Sequence, residues 1–136
     1  SMRGVRARGI RIPQDERDRF KFVDFRRCSF VTGGNMENLL DLNSRVEAKE
    51  IEMGNRAGYG VHFLMPYRGA SEDIKYDFVV MVHYYSAQKR SELISTYSEF
   101  REMMDETGYW NEFRSNATCG PQSTYRVEWL YNSNSN

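Results

Sequence analysis

The chain has 136 residues, of which 40% are hydrophobic and 14% aromatic, enough to build the core of one domain. It carries 19 basic and 19 acidic side chains, so the formal net charge of zero does not favour nucleic acid or an anionic membrane as a partner. No segment is long and apolar enough to cross a membrane, and no apolar secretory signal follows the N-terminus, so we expect a cytoplasmic protein.

Residues 1–19 are predicted to form a basic N-terminal arm. From Met2 to Arg19 this segment has six arginines and three acidic side chains. It could lie extended on the body of the domain or on a neighbouring subunit. Binding of nucleic acid by the arm is disfavoured, because no aromatic side chains are interleaved with the arginines.

The first half of the domain reads as strand, helix, strand. An aromatic-rich run from Phe20 to Phe30 predicts a strand. Asn35 is suited to cap a helix whose apolar positions repeat at helical spacing from Met36 to Met53, and Gly54 ends it. A second strand is predicted from Tyr59 to Tyr67.

The second half repeats this order. A third strand is predicted from Tyr76 to Tyr85, and Ser86 caps one long helix from Ala87 to Glu106. Gly108 stops that helix, and a loop leads to a last strand from Tyr125 to Tyr131, before a polar tail over residues 132–136.

This order predicts an α+β domain over residues 20–131. Strand, helix, strand occurring twice is the ferredoxin-like βαββαβ pattern, with a four-stranded antiparallel sheet and two helices on one face. The run from Phe78 to Val82 is apolar at every position, although a sheet with one wet face should alternate. We therefore expect a homodimer that covers the second face. The alternative is a monomer with a hydrophobic central strand.

Cys28 and Cys119 are too few for a disulfide scaffold and lack the paired spacing of a zinc site. We expect two reduced, partly buried thiols, as is usual in the cytoplasm. The alternative is a single disulfide that joins the two halves.

His62 and His83 are the candidate catalytic residues. They lie on strands predicted to be adjacent, and their side chains share a face if residue 60 pairs with residue 83. A pair of imidazoles can serve as acid and base. Histidines bonded within a core or a dimer interface are the alternative. No metal site is expected, because no third ligand accompanies them.

Aromatic side chains supply the candidate ligand-binding residues. Tyr84, Tyr85, Tyr97 and Trp110 have large rings with polar groups, which suit a pocket for a planar organic ligand as well as the edge of a core. The sequence contains no GxGxxG, P-loop, HExxH, GxSxG or CxxC motif, so no cofactor is expected. No motif decides whether the protein is an enzyme.

Three short motifs carry a resemblance to a known family. They are the first-strand segment from Cys28 to Gly33, the Asp77-Phe78 opening of the third strand and Cys119-Gly120-Pro121 before the last. With the repeated order, the chain resembles the dimeric α/β-barrel superfamily, and more narrowly small ferredoxin-like proteins of marine bacterial and environmental sequences. The resemblance implies two subunits with their sheets packed together and a pocket between the sheet and helices of each.

Superfamily members include monooxygenases, haem-degrading enzymes and polyketide cyclases. Haem chemistry is not expected here, because neither predicted helix contains a histidine. The leading hypothesis is a homodimer with a small hydrophobic pocket that binds or transforms a small aromatic or lipid-like molecule, as a monooxygenase or cyclase would, with His83 as base. The alternative hypothesis is a non-enzymatic assembly or regulatory module that uses the fold to dimerise.

Overall fold

The computed structural model of the chain describes residues 2–9, 22–54, 58–66 and 75–127. Within these ranges the fold is α+β, with six strands in one antiparallel sheet and four helices. The strands are β1 (Met2–Arg8), β2 (Phe22–Phe30), β3 (Tyr59–Pro66), β4 (Phe78–Tyr84), β5 (Ala117–Cys119) and β6 (Ser123–Arg126). The helices are α1 (Met36–Met53), α2 (Ala87–Ser95), α3 (Tyr97–Glu106) and α4 (Tyr109–Arg114).

The strand order across the sheet is β1-β3-β4-β2-β5, and β6 also pairs with β2. Strand β5 pairs with the end of β2 and β6 with its beginning, so the two short strands together form one edge. In the described ranges the sheet therefore has six strands, where four were expected. One is added by β1, and the last strand, expected from Tyr125, starts earlier and is divided by the Gly120-Pro121 segment.

Strand β1 comes from the segment predicted to be a basic arm. It pairs with β3 and forms the other edge of the sheet. The rest of that segment, residues 10–19, lies outside the described residues, as does the tail from 132 to 136.

Helix α1 has the predicted boundaries and caps. The Asn35 side chain accepts a hydrogen bond from the backbone N–H of Asn38, and Gly54 ends the helix in the left-handed region with φ of 75°. Its buried stripe contains Leu39, Leu42 and Val46 and packs on the sheet and on α3 and α4.

The single long helix predicted from Ala87 to Glu106 is instead two helices, α2 and α3, which meet at Thr96. The Thr96 backbone, with φ −99° and ψ 9°, departs from helical geometry, and its hydroxyl donates to the carbonyl oxygens of Glu92 and Leu93. A threonine hydroxyl that bonds the preceding turn in this way disturbs a helix. The loop predicted after Gly108 contains a further helix, α4, so the described residues form four helices rather than two.

The helices pack on one face of the sheet. Side chains from β3 and β4 that point to this face include Val61, Phe63, Phe78 and Val80, and they form the core with Leu39 of α1. None of the helices in the described part of the chain is long and apolar enough to span a membrane.

The opposite face, called here the outer face, carries the alternate residues of the same strands. They include Val23, Phe25, Leu64, Val79, Met81 and both histidines.

Cys28 and Cys119 form a disulfide, so the expectation of two reduced thiols is wrong. The two residues are direct partners in the β2–β5 pairing, with Cα atoms 4.1 Å apart, close enough for their sulfur atoms to bond. The bond joins residues 91 positions apart, and it is the link between the two halves that was the alternative.

Candidate ligand-binding cavity

A cavity of about 450 Å³ lies between the sheet and the helices, and it is called here the helix-side cavity. Its sheet side is formed by apolar side chains of β3 and β4, including Val61, Val80 and Val82. Its helix side is formed by Leu93, Phe100, Met104, Tyr109 and Phe113. The volume and the mainly apolar lining are typical of a site for a small organic molecule.

The cavity is open to solvent, because several of its lining residues are exposed. Ile94 and Tyr97 line it with 54% and 41% of their surface exposed. Arg26 of β2 and Arg114 of α4 also line it and are exposed. The opening therefore has apolar, aromatic and cationic groups.

One cluster of polar side chains inside the cavity is centred on Asp24 of β2. This carboxylate is only 5% exposed and accepts hydrogen bonds from Thr124 Oγ1, at 2.6 Å, and from the Tyr84 hydroxyl. The Arg90 guanidinium lies 3.6 Å from its Oδ1 atom and over the Tyr84 ring. Burial, and then the negative charge of Asp24, raise the pKa of Tyr84, so its phenol stays protonated.

A second cluster of polar side chains, at the end of β1, surrounds the buried Arg8 guanidinium. Its Nη1 atom donates to Glu50 Oε1 at 2.7 Å and to the Tyr59 hydroxyl, which donates to Glu50 in turn. Its Nε atom donates to Asn43 Oδ1 at 2.9 Å. Burial alone would lower the pKa of Arg8, but its interactions with Tyr59, Tyr109 and Glu50 outweigh burial and raise it.

A register shift in β1 directs Arg8 inward. Arg6 and Arg8 are two residues apart and would share a face in a regular strand. The irregularity between them pairs Arg6 with His62 on the outer face and Arg8 with Val61 on the helix side. A charged residue thereby reaches the core from an edge strand.

A polar depression adjoins the opening of the cavity, between α3 and α4. It shares Tyr97, Trp110 and Arg114 with the cavity and adds Arg101, Asp105, Gly108 and Asn111. An elongated molecule could therefore occupy the apolar cavity and extend into polar surroundings.

The two histidines come together on the outer face. Gly60 is paired with His83, the register on which their proximity depended, and His83 Nε2 lies 3.1 Å from His62 Nδ1. A Cβ atom on Gly60 would lie 2.5 Å from His83 Nε2, so the ring occupies space that only glycine leaves free. The Tyr85 ring packs edge-on against His83 at 5.6 Å.

Both imidazoles are less basic than usual. Burial, followed by the charges of His62 and Arg6, lowers the pKa of His83 to about 4. Burial and Arg6 also lower the pKa of His62. The His83 ring is therefore neutral at pH 7, and the His62 ring is harder to protonate than a free imidazole. Among the described residues, no group of three or more His, Cys, Asp or Glu side chains could hold a metal ion.

The structure thus divides the candidate site residues between the two faces of the sheet. Tyr84, Tyr97 and Trp110 line the helix-side cavity. His62, His83 and Tyr85 cluster on the outer face, so the six residues do not form one site.

Sequence reasoning missed the buried charges in the cavity and beside it. Asp24 interrupts the apolar run Phe22-Val23-Asp24-Phe25 at a position that faces the helices. Glu50 follows Val46 by four residues and so lies on the buried stripe of α1. A charged residue at a core-facing position was the available signal in both cases.

The sequence matches no protein-family model and no curated protein sequence.

Proposed function

We propose that this protein binds a small, mainly apolar organic molecule, aromatic or lipid-like, in the helix-side cavity. The observation that carries the proposal is the cavity itself: about 450 Å³, with a mainly apolar lining and few polar groups. Aromatic side chains at the opening, among them Tyr97 and Trp110, are suited to stack on a planar ligand.

Asp24 and Tyr84 are the groups best placed to orient such a ligand. They line a mainly apolar cavity, and a ligand hydroxyl or amine could donate to the Asp24 carboxylate. We propose binding as the primary activity. The roles of His83 and His62 as acid and base stay predictions, and they would require a substrate on the outer face.

A neutral dye provides the test of binding. N-phenyl-1-naphthylamine, whose fluorescence rises in apolar surroundings, is titrated into the wild type and into Val82→Phe. Val82 lines the cavity and is half-buried, so the larger ring fills empty space and should preserve stability while weakening dye binding by about tenfold or more. Ile51→Phe, on an exposed position of α1, is the matched control and should bind like the wild type. Equal dye affinity in all three proteins would refute the proposal.

We further propose that the domain is ferredoxin-like. Strand β4 lies between β2 and β3, the strands joined through α1. Strand β2 lies between β4 and β5, the strands joined through α2 to α4. This mutual insertion of two strand–helix–strand units is the split βαβ arrangement, to which β1 adds an edge strand.

Dimerisation through the outer face, as in a dimeric α/β barrel, is the third proposal. The supporting observation is that Phe25, Leu64 and Met81 lie there, away from the helices, and are only half-buried. Met81→Asp should convert a dimer into monomers in light scattering, whereas Ile51→Asp should not. A wild-type monomer at all concentrations would refute this proposal and, with it, the alternative of an assembly or regulatory module that works through dimerisation.

A further inference from the structure

Positively charged side chains predominate around the opening of the helix-side cavity. Arg26 and Arg114 line the cavity, and Arg101 and Arg114 line the adjoining depression. None of these three arginines forms an ion pair with a carboxylate in the part of the chain that the structure describes. Arg114 donates to the amide oxygen of Asn111 at 3.2 Å, a neutral partner.

The charges deeper in the cavity are compensated. Arg8 is neutralised by Glu50, and Asp24 by Arg90. Asp105 is the acidic side chain that lines the depression. Among the described residues, three arginines and one aspartate leave two excess positive charges at the opening of the cavity, in a chain of zero net charge.

We propose that the ligand is an organic acid whose apolar body occupies the cavity and whose acidic group lies among Arg26, Arg101 and Arg114. This inference rests on the proposed function and specifies its ligand class. A planar guanidinium binds a carboxylate or sulfonate with two parallel hydrogen bonds, and the shared position of Arg114 joins the apolar and the cationic parts of the site.

Two dyes that differ only in an acidic group test the inference. N-phenyl-1-naphthylamine is neutral, and 8-anilinonaphthalene-1-sulfonate is its sulfonated form. Both are titrated into the folded wild-type protein, and we expect the sulfonate to bind about tenfold more tightly, the ratio that one charge-assisted contact of about 1.4 kcal/mol gives.

Arginine variants locate the contact. Arg114→Gln and Arg26→Gln should each weaken binding of the sulfonate by about threefold to tenfold and leave binding of the neutral dye within about twofold. Arg27→Gln is the matched control, because Arg27 neighbours Arg26 in β2 but points to the outer face, where it lies over the Tyr76 ring. It should leave both affinities unchanged.

The outcomes separate the two proposals. Equal affinities for the two dyes, or a loss of sulfonate binding in Arg27→Gln as large as in Arg114→Gln, would overturn the acidic-ligand inference and leave the cavity as a neutral site. Failure of both dyes to bind the wild type would overturn the proposed function itself. Circular dichroism of each variant establishes that it is folded, so lost binding is not lost structure.

Discussion

Removing the charge of Glu50 should destabilise the protein far more than removing the charge of a partly exposed glutamate at a similar ion-pair distance. Glu50 is 1% exposed, and its Oε1 atom is 2.7 Å from Arg8 Nη1. Glu50→Gln leaves the Arg8 guanidinium charged and without its carboxylate in the core. We expect the free energy of unfolding to fall by about 3 kcal/mol, the lower end of the cost of breaking a buried pair.

The Arg45–Glu112 pair supplies the matched control. Its N–O distance is 2.6 Å, but the two side chains are 53% and 38% exposed. Water already solvates these charges, so Glu112→Gln should cost about 0.5 kcal/mol. We therefore expect the burial of the ion pair, rather than its N–O distance, to account for the difference in stability between Glu50→Gln and Glu112→Gln.

A double-mutant cycle isolates the interaction. Urea denaturation at pH 7 is followed by circular dichroism for Arg8→Met, Glu50→Gln and the double variant. Because the double variant contains no unpaired charge, its cost should be smaller than the sum of the single costs by about 2 kcal/mol. If the single costs add, or if Glu50→Gln is no worse than Glu112→Gln, the Arg8–Glu50 pair does not stabilise the fold as a buried ion pair.

Three further predictions concern the disulfide and the histidine pair. A colorimetric assay of the purified, unfolded protein should detect no free thiol, and two free thiols would contradict the disulfide. Replacing Cys28 and Cys119 with Ala should lower the free energy of unfolding by about 4–5 kcal/mol, because the bond closes a long loop. The pKa of His83 is lowered to about 4 in the folded protein and lies near 6.5 in the unfolded chain, so only the unfolded chain takes up a proton as the pH falls. Stability should therefore drop by about 1–2 kcal/mol between pH 7.5 and pH 5 in urea denaturation, and clearly less in His83→Gln. Gly60→Ala should lower the free energy of unfolding by about 1–3 kcal/mol, because the added methyl group displaces the His83 ring from His62. A variant as stable as the wild type would contradict the close packing of His83 on Gly60.

Local signals in the sequence predicted the elements whose ends have specific caps. Asn35 and Gly54 bound α1, and Ser86 begins α2, where its side chain accepts from the Lys89 N–H. The break at Thr96 was not predictable in the same way, because threonine is tolerated within helices and the interruption depends on its hydroxyl bonding the preceding turn.

The register between β3 and β4 could not be read from the sequence, because both strands are apolar on both faces. A shift of one residue would have placed His62 and His83 on opposite faces. Sequence reasoning therefore gave the condition for their contact, residue 60 opposite residue 83, and the structure supplies the pairing.

The Cys28–Cys119 disulfide follows from strand pairing rather than from cysteine count. Cysteine count and the expected compartment favoured reduced thiols, yet the pairing of β2 with β5 places Cys28 directly opposite Cys119. That pairing depends on the two short edge strands, which the sequence did not separate. Disulfides persist in oxidising surroundings and are rare in the cytoplasm. The cytoplasmic location stays a prediction, and a disulfide found in the thiol assay would count against it.

The measurement that tests the central proposal most directly is the position of a bound neutral dye by nuclear magnetic resonance. With N-phenyl-1-naphthylamine added to protein with labelled methyl groups, we predict intermolecular nuclear Overhauser effects to the cavity methyls of Val80, Val82 and Leu93. Val79, between the core residue Phe78 and the cavity residue Val80 but on the outer face, should show none. Contacts to Val79 without contacts to Val82, or no intermolecular contacts at all, would contradict the proposal that the helix-side cavity is the binding site.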